Sequence, residues 1–559
     1  MRGAKARTYG AVLMRKTATA RGVRRSGTAR GAPGPLVVAA VDAFYRAEYA
    51  TCAALLQARP SVSAQDAGWL ELLRARVARI EDDVATWSQA ATAAARLHPT
   101  AEGRLMALAL QAAAAKRADR LHEATRLFDD VREQLARDPR TDTGETIYLL
   151  ALDAWEDGDF ERAERIVRAG LSIEGNRAER VALLAWIAVK REAYEAAGKL
   201  FRDAFEYVVA DEPVDVRARA RIMHGAVIVA SETPALDLGR QLRSAYETTS
   251  FPSSLTTTRF HILAGLRVVA LLEGDLEAAW IYARDAAAIA PSAQYAAMGE
   301  TLAAATSLLL GERNAEKRQL ARAWKILRGT TWAAADDEAR VALTNFAIDG
   351  ARTMPAEARK AITLYQSLRA RAAPLNTLND RRLTAFEAIA AARVSEALQR
   401  RDLAIAEYQR AFDLWNQLGY RVRAAEVALD LRRLGIAHET HEAAIATLLA
   451  LAPKAWIYEE AQRAPTPVQG LTPAERAVLA ELVLGHSAKT IAHDLERSHF
   501  TIINHTRRIF AVFGVRSRAR LIARCVELGI VGEPQTSAGS ARAAARNRTA
   551  ERQQKRQQM

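Results

Sequence analysis

Residues 36–451 repeat a single pattern of apolar and polar positions. Each unit has a segment rich in Ala, Leu and Arg, a short polar turn, and a second segment with Ala where small residues are needed. The turn has the same form in residues 158–163 (GDFERA) and 274–279 (GDLEAA). Within the segments large apolar residues recur at helical spacing, as Tyr408, Phe412 and Trp415 do. The pattern predicts an all-α region made of consecutive helix pairs.

The period of the repeat indicates how these pairs are arranged. The positions that follow successive turns are 34 to 46 residues apart, and they are Tyr49, Val84, Leu121, Phe160, Tyr194, Leu236, Leu276, Ala315, Glu357 and Leu403. The spacing lies just above the ~34 residues of the tetratricopeptide repeat (TPR), and the region resembles TPR-like superhelical domains. A single pair cannot cover its own apolar face, so we expect the pairs to stack into an α-solenoid.

The function of this region does not follow from its fold. The concave face of a solenoid commonly binds peptides, partner proteins or small effectors. A scaffold or an oligomerisation arm is the alternative. We expect a sensing or interaction region for an unknown protein or small-molecule effector, and the sequence assigns no residue of it to a ligand.

Four shorter helices are predicted in residues 471–532. Thr472 is the expected N-cap of the first, with Glu475 completing a capping box. Ser487 caps a short second helix, and after a tight turn a longer third helix runs through Phe513. A fourth covers residues 516–528. A short helix, a turn and a longer basic helix form the helix-turn-helix plan, whose second helix lies in the major groove of DNA.

The third helix has a core side and a DNA side. The helical period places on the core side Ile502, Thr506, Ile509 and Phe513. Three outward residues are predicted base contacts: Arg507 suits guanine O6 and N7, Asn504 suits adenine, and Ile503 suits a thymine methyl group. Phosphate contacts, which set register without reading sequence, are predicted at Lys489, Arg497, Thr501 and Arg508.

The same segment resembles the LuxR/FixJ-type DNA-binding domain without a gap. The resemblance rests on Leu471, Thr472, Pro473, Glu475, Arg476, Val478, Leu479, Gly485, Ser487, Lys489, Ile491, Ala492, Leu495, Ser498, Thr501, Asn504, His505, Arg508, Ile509, Gly514, Val515, Arg516, Ser517, Arg518, Ala519 and Leu521. It implies base contacts at the three positions above and a dimerisation face on the fourth helix. The apolar side of that helix could equally be internal core. For Arg516, Arg518, Arg520 and Arg524, a solvated surface and a role near the DNA backbone or in a dimer both stay open.

Three residues depart from the family's pattern. Ile503 stands where Lys is frequent, so an electrostatic contact is exchanged for an apolar one. Glu496 occupies a turn position usually taken by Gly or another small residue, which predicts strain in the turn. Thr506 replaces a Leu of the core stripe.

The net charge of +14 is concentrated at the ends of the chain. Residues 1–35 carry +9, residues 471–532 carry +4 and residues 533–559 carry +4, which leaves -3 for residues 36–470. Both ends lack helical periodicity and are predicted to be disordered. The first has the Arg-rich, acid-poor composition of an organellar transit peptide, and equally that of a basic arm beside a DNA-binding domain. The total charge therefore overstates how strongly the composition favours nucleic-acid binding, because most of it lies in the two ends.

Other classes of protein are disfavoured by what the sequence lacks. Cys52 and Cys525 are too few and too far apart for a disulfide scaffold, which fits a reducing cytoplasm. No run of ~18 apolar residues predicts a membrane span. The Gly198-Lys199 pair lacks the rest of a phosphate-binding loop, and residues 438–442 (HETHE) fit a solvated helix start better than a metal site. We expect no enzymatic activity, no cofactor, no metal and no membrane.

Five regions result: a basic arm (1–35), a TPR-like helical repeat region (36–451), a linker (452–470), a LuxR-type helix-turn-helix domain (471–532) and a basic tail (533–559). The predicted function is a cytoplasmic, sequence-specific transcription regulator that binds double-stranded DNA as a homodimer. The alternative is a protein-interaction adaptor whose helix-turn-helix binds DNA non-specifically or not at all.

Overall fold

The computed structural model describes residues 33–45, 48–57, 63–173, 176–209, 214–330, 337–371, 380–436, 438–458, 471–513 and 515–527. Their regular elements are 26 α-helices and two 3-10 helices, without a strand, so the predicted all-α fold is confirmed. The predicted disordered ends lie almost wholly outside the described residues.

The helices are numbered in chain order. Helices α1 to α22 are Pro35–Tyr45, Tyr49–Gln57, Ala64–Glu81, Val84–Leu97, Ala101–Arg117, Leu121–Arg137, Gly144–Glu156, Phe160–Ala169, Arg177–Lys190, Tyr194–Val209, Val216–Glu232, Leu236–Thr248, Thr256–Glu273, Leu276–Ala288, Ala293–Leu309, Arg313–Gly329, Asp337–Gly350, Pro355–Arg371, Asp380–Ala397, Arg401–Leu418, Arg421–Arg433 and Glu439–Leu451. Helices α23 to α26 are Pro473–Val483, Ala488–Asp494, His499–Val512 and Arg518–Glu527.

Helices α1 to α22 form consecutive pairs, as the pattern predicts. The second helix of a pair begins at seven of the aligned positions, which are Tyr49, Val84, Leu121, Phe160, Tyr194, Leu236 and Leu276. The next three helices of this kind begin at Arg313, Pro355 and Arg401, two residues before the aligned positions, and the last one, α22, has no aligned position. They open with a polar residue or proline, so the alignment on apolar residues placed their starts late. The assignment to TPR-like repeats stays a prediction.

The two helices of a pair form two layers. Ten of the 13 residues of α7 are buried, against two of the ten residues of α8. The first helix of a pair is thus enclosed by its neighbours, whereas the second is amphipathic and faces solvent. Small residues allow the helices to pack closely, as do Ala107, Ala109, Ala112 and Ala114, each completely buried in α5. We call the first helices of the pairs, α1, α3 and so on to α21, the inner helices.

The array winds tightly enough for distant pairs to touch. Ser254 Oγ donates to the Ile80 carbonyl over 2.7 Å, and Arg217 donates to the Arg79 carbonyl over 2.7 Å. Further along, the rings of Tyr194 and Tyr420 meet edge to face with centroids 4.6 Å apart. The Arg217 contact joins the inner helices α11 and α3, which belong to pairs that are not adjacent along the chain.

Charged side chains of the inner helices form buried or half-buried ion pairs. Glu145 is 7% exposed and accepts hydrogen bonds from Arg76 (2.8 Å) and Arg79 (3.2 Å) on α3. Between α9 and α11, Arg221 donates to Glu179 over 2.8 Å. A buried charge is costly unless it is paired, so these contacts join helices from different repeat units.

The body of helix pairs extends past Leu451. Residues 452–458, which the sequence places in the linker, pack on the array: Ala455 and Ile457 are 2% and 4% exposed. The Trp456 amide donates to the Leu271 carbonyl over 3.1 Å. We therefore propose that the linker begins after Tyr458. Residues 459–470 lie outside the described residues.

The structure also bears on the expectations of no membrane span and of a solvated helix start at residues 438–442. By length and composition, the stretch Ser253–Glu273 is long and apolar enough to cross a membrane, although it contains Arg259 and Arg267. Of its most apolar 18 residues, 56% are buried inside the protein, as in the core helix of a folded body. At the expected solvated helix start, His438 is exposed, but His441 is completely buried against the Phe412 ring.

Glu145→Gln tests whether the inner charges are structural. The substitution leaves two inner arginines without a carboxylate, so the free energy of unfolding should fall by about 3–5 kcal/mol in chemical denaturation. Glu133→Gln is the matched control, because Glu133 binds Arg137 on the exposed surface, and its effect should stay below about 1 kcal/mol. Equal effects of the two substitutions would contradict a structural role for the inner pairs.

Candidate nucleic-acid interface

The first helix of the C-terminal domain is positioned by the predicted capping box. The Glu475 amide donates to Thr472 Oγ1 over 3.2 Å, and the Thr472 amide donates to the Glu475 carboxylate over 2.7 Å. This reciprocal pair satisfies two amides at the start of α23. Glu475 is only 3% exposed, so its carboxylate is shielded from water.

Helices α24 and α25 form the helix-turn-helix. The first begins at the predicted cap Ser487, and the second begins at Ser498, which the sequence analysis placed in the turn and did not identify as a cap. The Thr490 amide donates to Ser487 Oγ over 3.1 Å, and the Thr501 amide donates to Ser498 Oγ over 3.0 Å. Between them Glu496 adopts φ +50°, the left-handed conformation that favours glycine. The predicted strain in the turn is therefore present, and it lies at the residue that departs from the family's pattern.

The predicted core side of α25 is buried. Ile502 and Ile509 are completely buried and Phe513 is 5% exposed. Thr506 is half-buried, and its hydroxyl donates to the Ile502 carbonyl over 2.7 Å. This bond satisfies the hydroxyl that replaces leucine in the stripe, so the substitution leaves no unpaired polar group in the core.

The opposite side of α25 carries the predicted base contacts. Asn504 and Arg507 are exposed, and Ile503 is half-buried. Because residues three and four apart lie on one face, the three side chains share a stripe along the helix. The side chains of Asn504 and Arg507 make no hydrogen bond or ion pair with any described residue, so the stripe is available to a ligand.

The predicted phosphate contacts have different surroundings. Lys489 and Arg497 are exposed, and their side chains make no polar contact with the part of the chain that the structure describes. Thr501 is half-buried, and its hydroxyl lies 2.8 Å from that of Ser498. Arg508 is half-exposed, and its Nε lies 2.9 Å from a Glu475 carboxylate oxygen. Arg508 is thus held in a fixed orientation by the capping glutamate.

Contacts of the fourth helix answer part of the open question about its arginines. Arg518 Nε donates to the Leu482 carbonyl over 2.9 Å, so Arg518 satisfies the C-terminal end of α23 and has a structural role. Leu521 and Cys525 are completely buried in the domain core. The apolar side of this segment consists in the sequence of Leu521, Ile522, Cys525, Val526 and Leu528, and the side chains of the last two lie outside the described residues.

Phe500 is a candidate that the sequence analysis did not single out. It lies one turn before Ile503 and Asn504 on the same face of α25, and it is 71% exposed. The helical period was used to find the core stripe and a basic face, so an apolar residue on the DNA side was overlooked. A signal was present, since counting back from Arg507 by seven reaches Phe500.

Comparison with known proteins supports the assignment of this domain. Residues 469–525 match the family model for bacterial regulatory proteins of the luxR family. The match covers about a tenth of the chain, and it includes helices α23 to α25 and all but the last two residues of α26. A search of curated proteins finds no match. The chain therefore contains a LuxR-type helix-turn-helix domain, as the sequence predicts.

Glu496→Gly should stabilise the domain. A non-glycine residue in the left-handed region costs about 1–2 kcal/mol, so relief at φ +50° should raise the free energy of unfolding by about 1 kcal/mol. Glu496→Ala is the control, since it removes the same charge but keeps the Cβ atom. Thermal unfolding of both variants separates strain from charge, and an equal rise in Tm for alanine and glycine would show that strain is not the cause.

Proposed function

We propose that this protein is a sequence-specific transcription regulator that reads double-stranded DNA with α25 and responds to a partner or effector through its helix pairs. A LuxR-type domain supports DNA binding and transcription regulation rather than catalysis. The observation that carries the proposal is the stripe on α25. Asn504 and Arg507 project from a helix whose other side is buried, and nothing among the described residues occupies their polar groups.

The chemistry of the stripe suits the edges of bases in the major groove. The guanidinium of Arg507 presents two parallel N–H groups that match guanine O6 and N7. The amide of Asn504 both donates and accepts, which matches adenine N6 and N7. Ile503 provides an apolar contact for a thymine methyl group. These three residues are the proposed base contacts.

The proposed phosphate contacts surround the stripe. Lys489 at the start of α24 and Arg497 in the turn are free to reach the DNA backbone, and Thr501 lies in the first turn of α25. Arg508 uses Nε for Glu475, which leaves its terminal nitrogens for a phosphate. Such contacts set the register of the helix in the groove and make binding salt-dependent.

We further propose that the protein acts as a cytoplasmic homodimer. One small module buries too little DNA surface for tight specific binding, whereas two modules on adjacent half-sites bury twice as much. Dimeric binding would appear as a palindromic or directly repeated motif in the selected DNA. The adaptor role would instead give selection on random DNA without any enriched motif.

Arg507→Ala and Lys489→Ala separate base reading from phosphate binding. In selection and gel-shift experiments on random DNA, Arg507→Ala should cost about 1–3 kcal/mol and relax the preference at one base position. Lys489→Ala should weaken all sequences alike and reduce the slope of log affinity against log salt by about one. If wild-type protein enriches no motif, sequence-specific regulation is wrong.

Phe500→Ala tests an additional apolar contact. We expect Phe500 to touch a thymine methyl group beside the one that Ile503 contacts, so the variant should lose preference for thymine at one flanking position, by about 1 kcal/mol. Leu484→Ala is the matched control: Leu484 is 70% exposed in the same domain but lies at the end of α23. An unchanged selected motif with Phe500→Ala would exclude this contact.

A further inference from the structure

Three side chains of metal-ligating type meet where the ends of α23 and α24 lie side by side. They are Glu481 on α23, His486 in the connection between the helices, and Asp494 at the end of α24. One ligand atom from each side chain lies within 4.8 Å of the ligand atoms of the other two. The sequence predicts no metal site, and no motif marks this group, because the fold alone brings Asp494 to the other two residues.

The end of α23 positions the first two members of the group. Gly485 adopts φ +97°, the left-handed conformation that ends many helices, and the His486 amide donates to the Glu481 carbonyl over 3.1 Å. The chain thus turns back on the last turn of α23, and His486 Nδ1 makes a hydrogen bond with a Glu481 carboxylate oxygen. An imidazole and a carboxylate are therefore held side by side by the backbone of the helix end.

The two carboxylates of the group have no lysine or arginine as a partner. Within the part of the chain that the structure describes, the ion-pair partners of Glu481 and Asp494 are histidine rings. Glu475 in the same domain, by contrast, binds Arg508 over 2.9 Å. Two carboxylates held this close repel each other, and a cation between them removes the repulsion. The group therefore combines metal-ligating atoms with negative charge that no basic side chain neutralises.

The spacing and exposure of the three side chains suit a transition-metal dication. Zinc binds imidazole nitrogen and carboxylate oxygen at about 2.0–2.2 Å, which places ligand atoms roughly 3.3–3.6 Å apart in a tetrahedral site. Side-chain movements of about 1 Å reach this spacing from the observed one. The side chains of Glu481, His486 and Asp494 are 26%, 44% and 45% exposed, so they are free to adjust and leave room for water as a further ligand.

The imidazole distinguishes between classes of cation. Mg²⁺ and Ca²⁺ prefer shells made of oxygen atoms, whereas Zn²⁺ and related first-row dications bind imidazole nitrogen well. A group of one imidazole and two carboxylates therefore favours the second class. The alternative is that the hydrogen bond between His486 and Glu481 is complete in itself and that no metal binds.

We propose that Glu481, His486 and Asp494 bind one Zn²⁺-type dication, which links the end of α23 to the end of α24. A cation that binds only this folded arrangement stabilises it, so the position of the first helix of the helix-turn-helix becomes dependent on metal. The proposal goes beyond the proposed function and does not depend on it, because metal binding here requires no DNA.

Calorimetric titration of the metal-free, full-length protein with Zn²⁺ tests the site. His486→Gln and Asp494→Asn each remove one ligand, so each should weaken Zn²⁺ binding by at least about tenfold. His499→Gln is the matched control, because His499 is an exposed histidine of the same domain outside the group, and its variant should bind like wild type. Mg²⁺ should bind to wild type at least about tenfold more weakly than Zn²⁺ does.

Hydrogen exchange of the full-length protein, measured by mass spectrometry, locates the bound ion. Zn²⁺ should slow the exchange of backbone amides in residues 481–494 of wild type and of His499→Gln, because the metal opposes local opening. It should not slow exchange there in Asp494→Asn, since the two remaining ligands both belong to the end of α23 and do not join it to α24.

Two results overturn the proposal. One is that wild type binds no Zn²⁺ at submillimolar concentration, and the other is that wild type, His486→Gln and Asp494→Asn bind Zn²⁺ equally well. In either case the hydrogen bond between His486 and Glu481 accounts for the group without a metal. Failure of the proposed DNA function is recognised separately, as the absence of an enriched motif in DNA selection, and it leaves the metal site untouched.

Discussion

A single helix pair of this sequence cannot bury its own apolar face, and this constraint organises the whole body of the protein. Each inner helix needs cover from the pair before it and the pair after it. Alanine at the contact positions brings the helices close, and the large residues of the outer helices, such as Phe201 and Trp415, fill the space between them. Stability is therefore distributed over many interfaces between neighbouring pairs.

Tight winding of the stack explains the charges in the interior. When inner helices of distant pairs face each other, side chains that would be solvated on an isolated pair are removed from water. Removing charged groups from water is costly, and ion pairs offset this cost. Examples are Glu145 between Arg76 and Arg79, and Asp430 between Arg393 and Arg433.

The C-terminal domain is held together by local contacts instead of by stacking between helix pairs. Its core is small and is closed by local contacts: the Thr472–Glu475 capping box, two serine caps and the Arg518 contact with the end of α23. These contacts hold α25 with its apolar stripe inward, so its opposite stripe is presented to solvent with its polar groups unused. The Glu496 turn is the strained point of this arrangement, and the link between α24 and α25 depends on it.

The sequence by itself determined the elements that depend on local chemistry. Helix starts at Val84 or Phe160, the caps at Thr472 and Ser487, and the inward stripe of α25 follow from residue type and a period of 3.6, which are local properties. The late start predicted for α20 and the omission of Phe500 are failures of the same local reasoning, which looked for apolar starts and basic faces. The tertiary structure alone decided that distant pairs touch, as Arg217 and Arg79 do, and that residues 452–458 pack on the array. Those contacts join residues more than 100 positions apart, and no periodicity along the chain encodes which distant side chains come to share one surface.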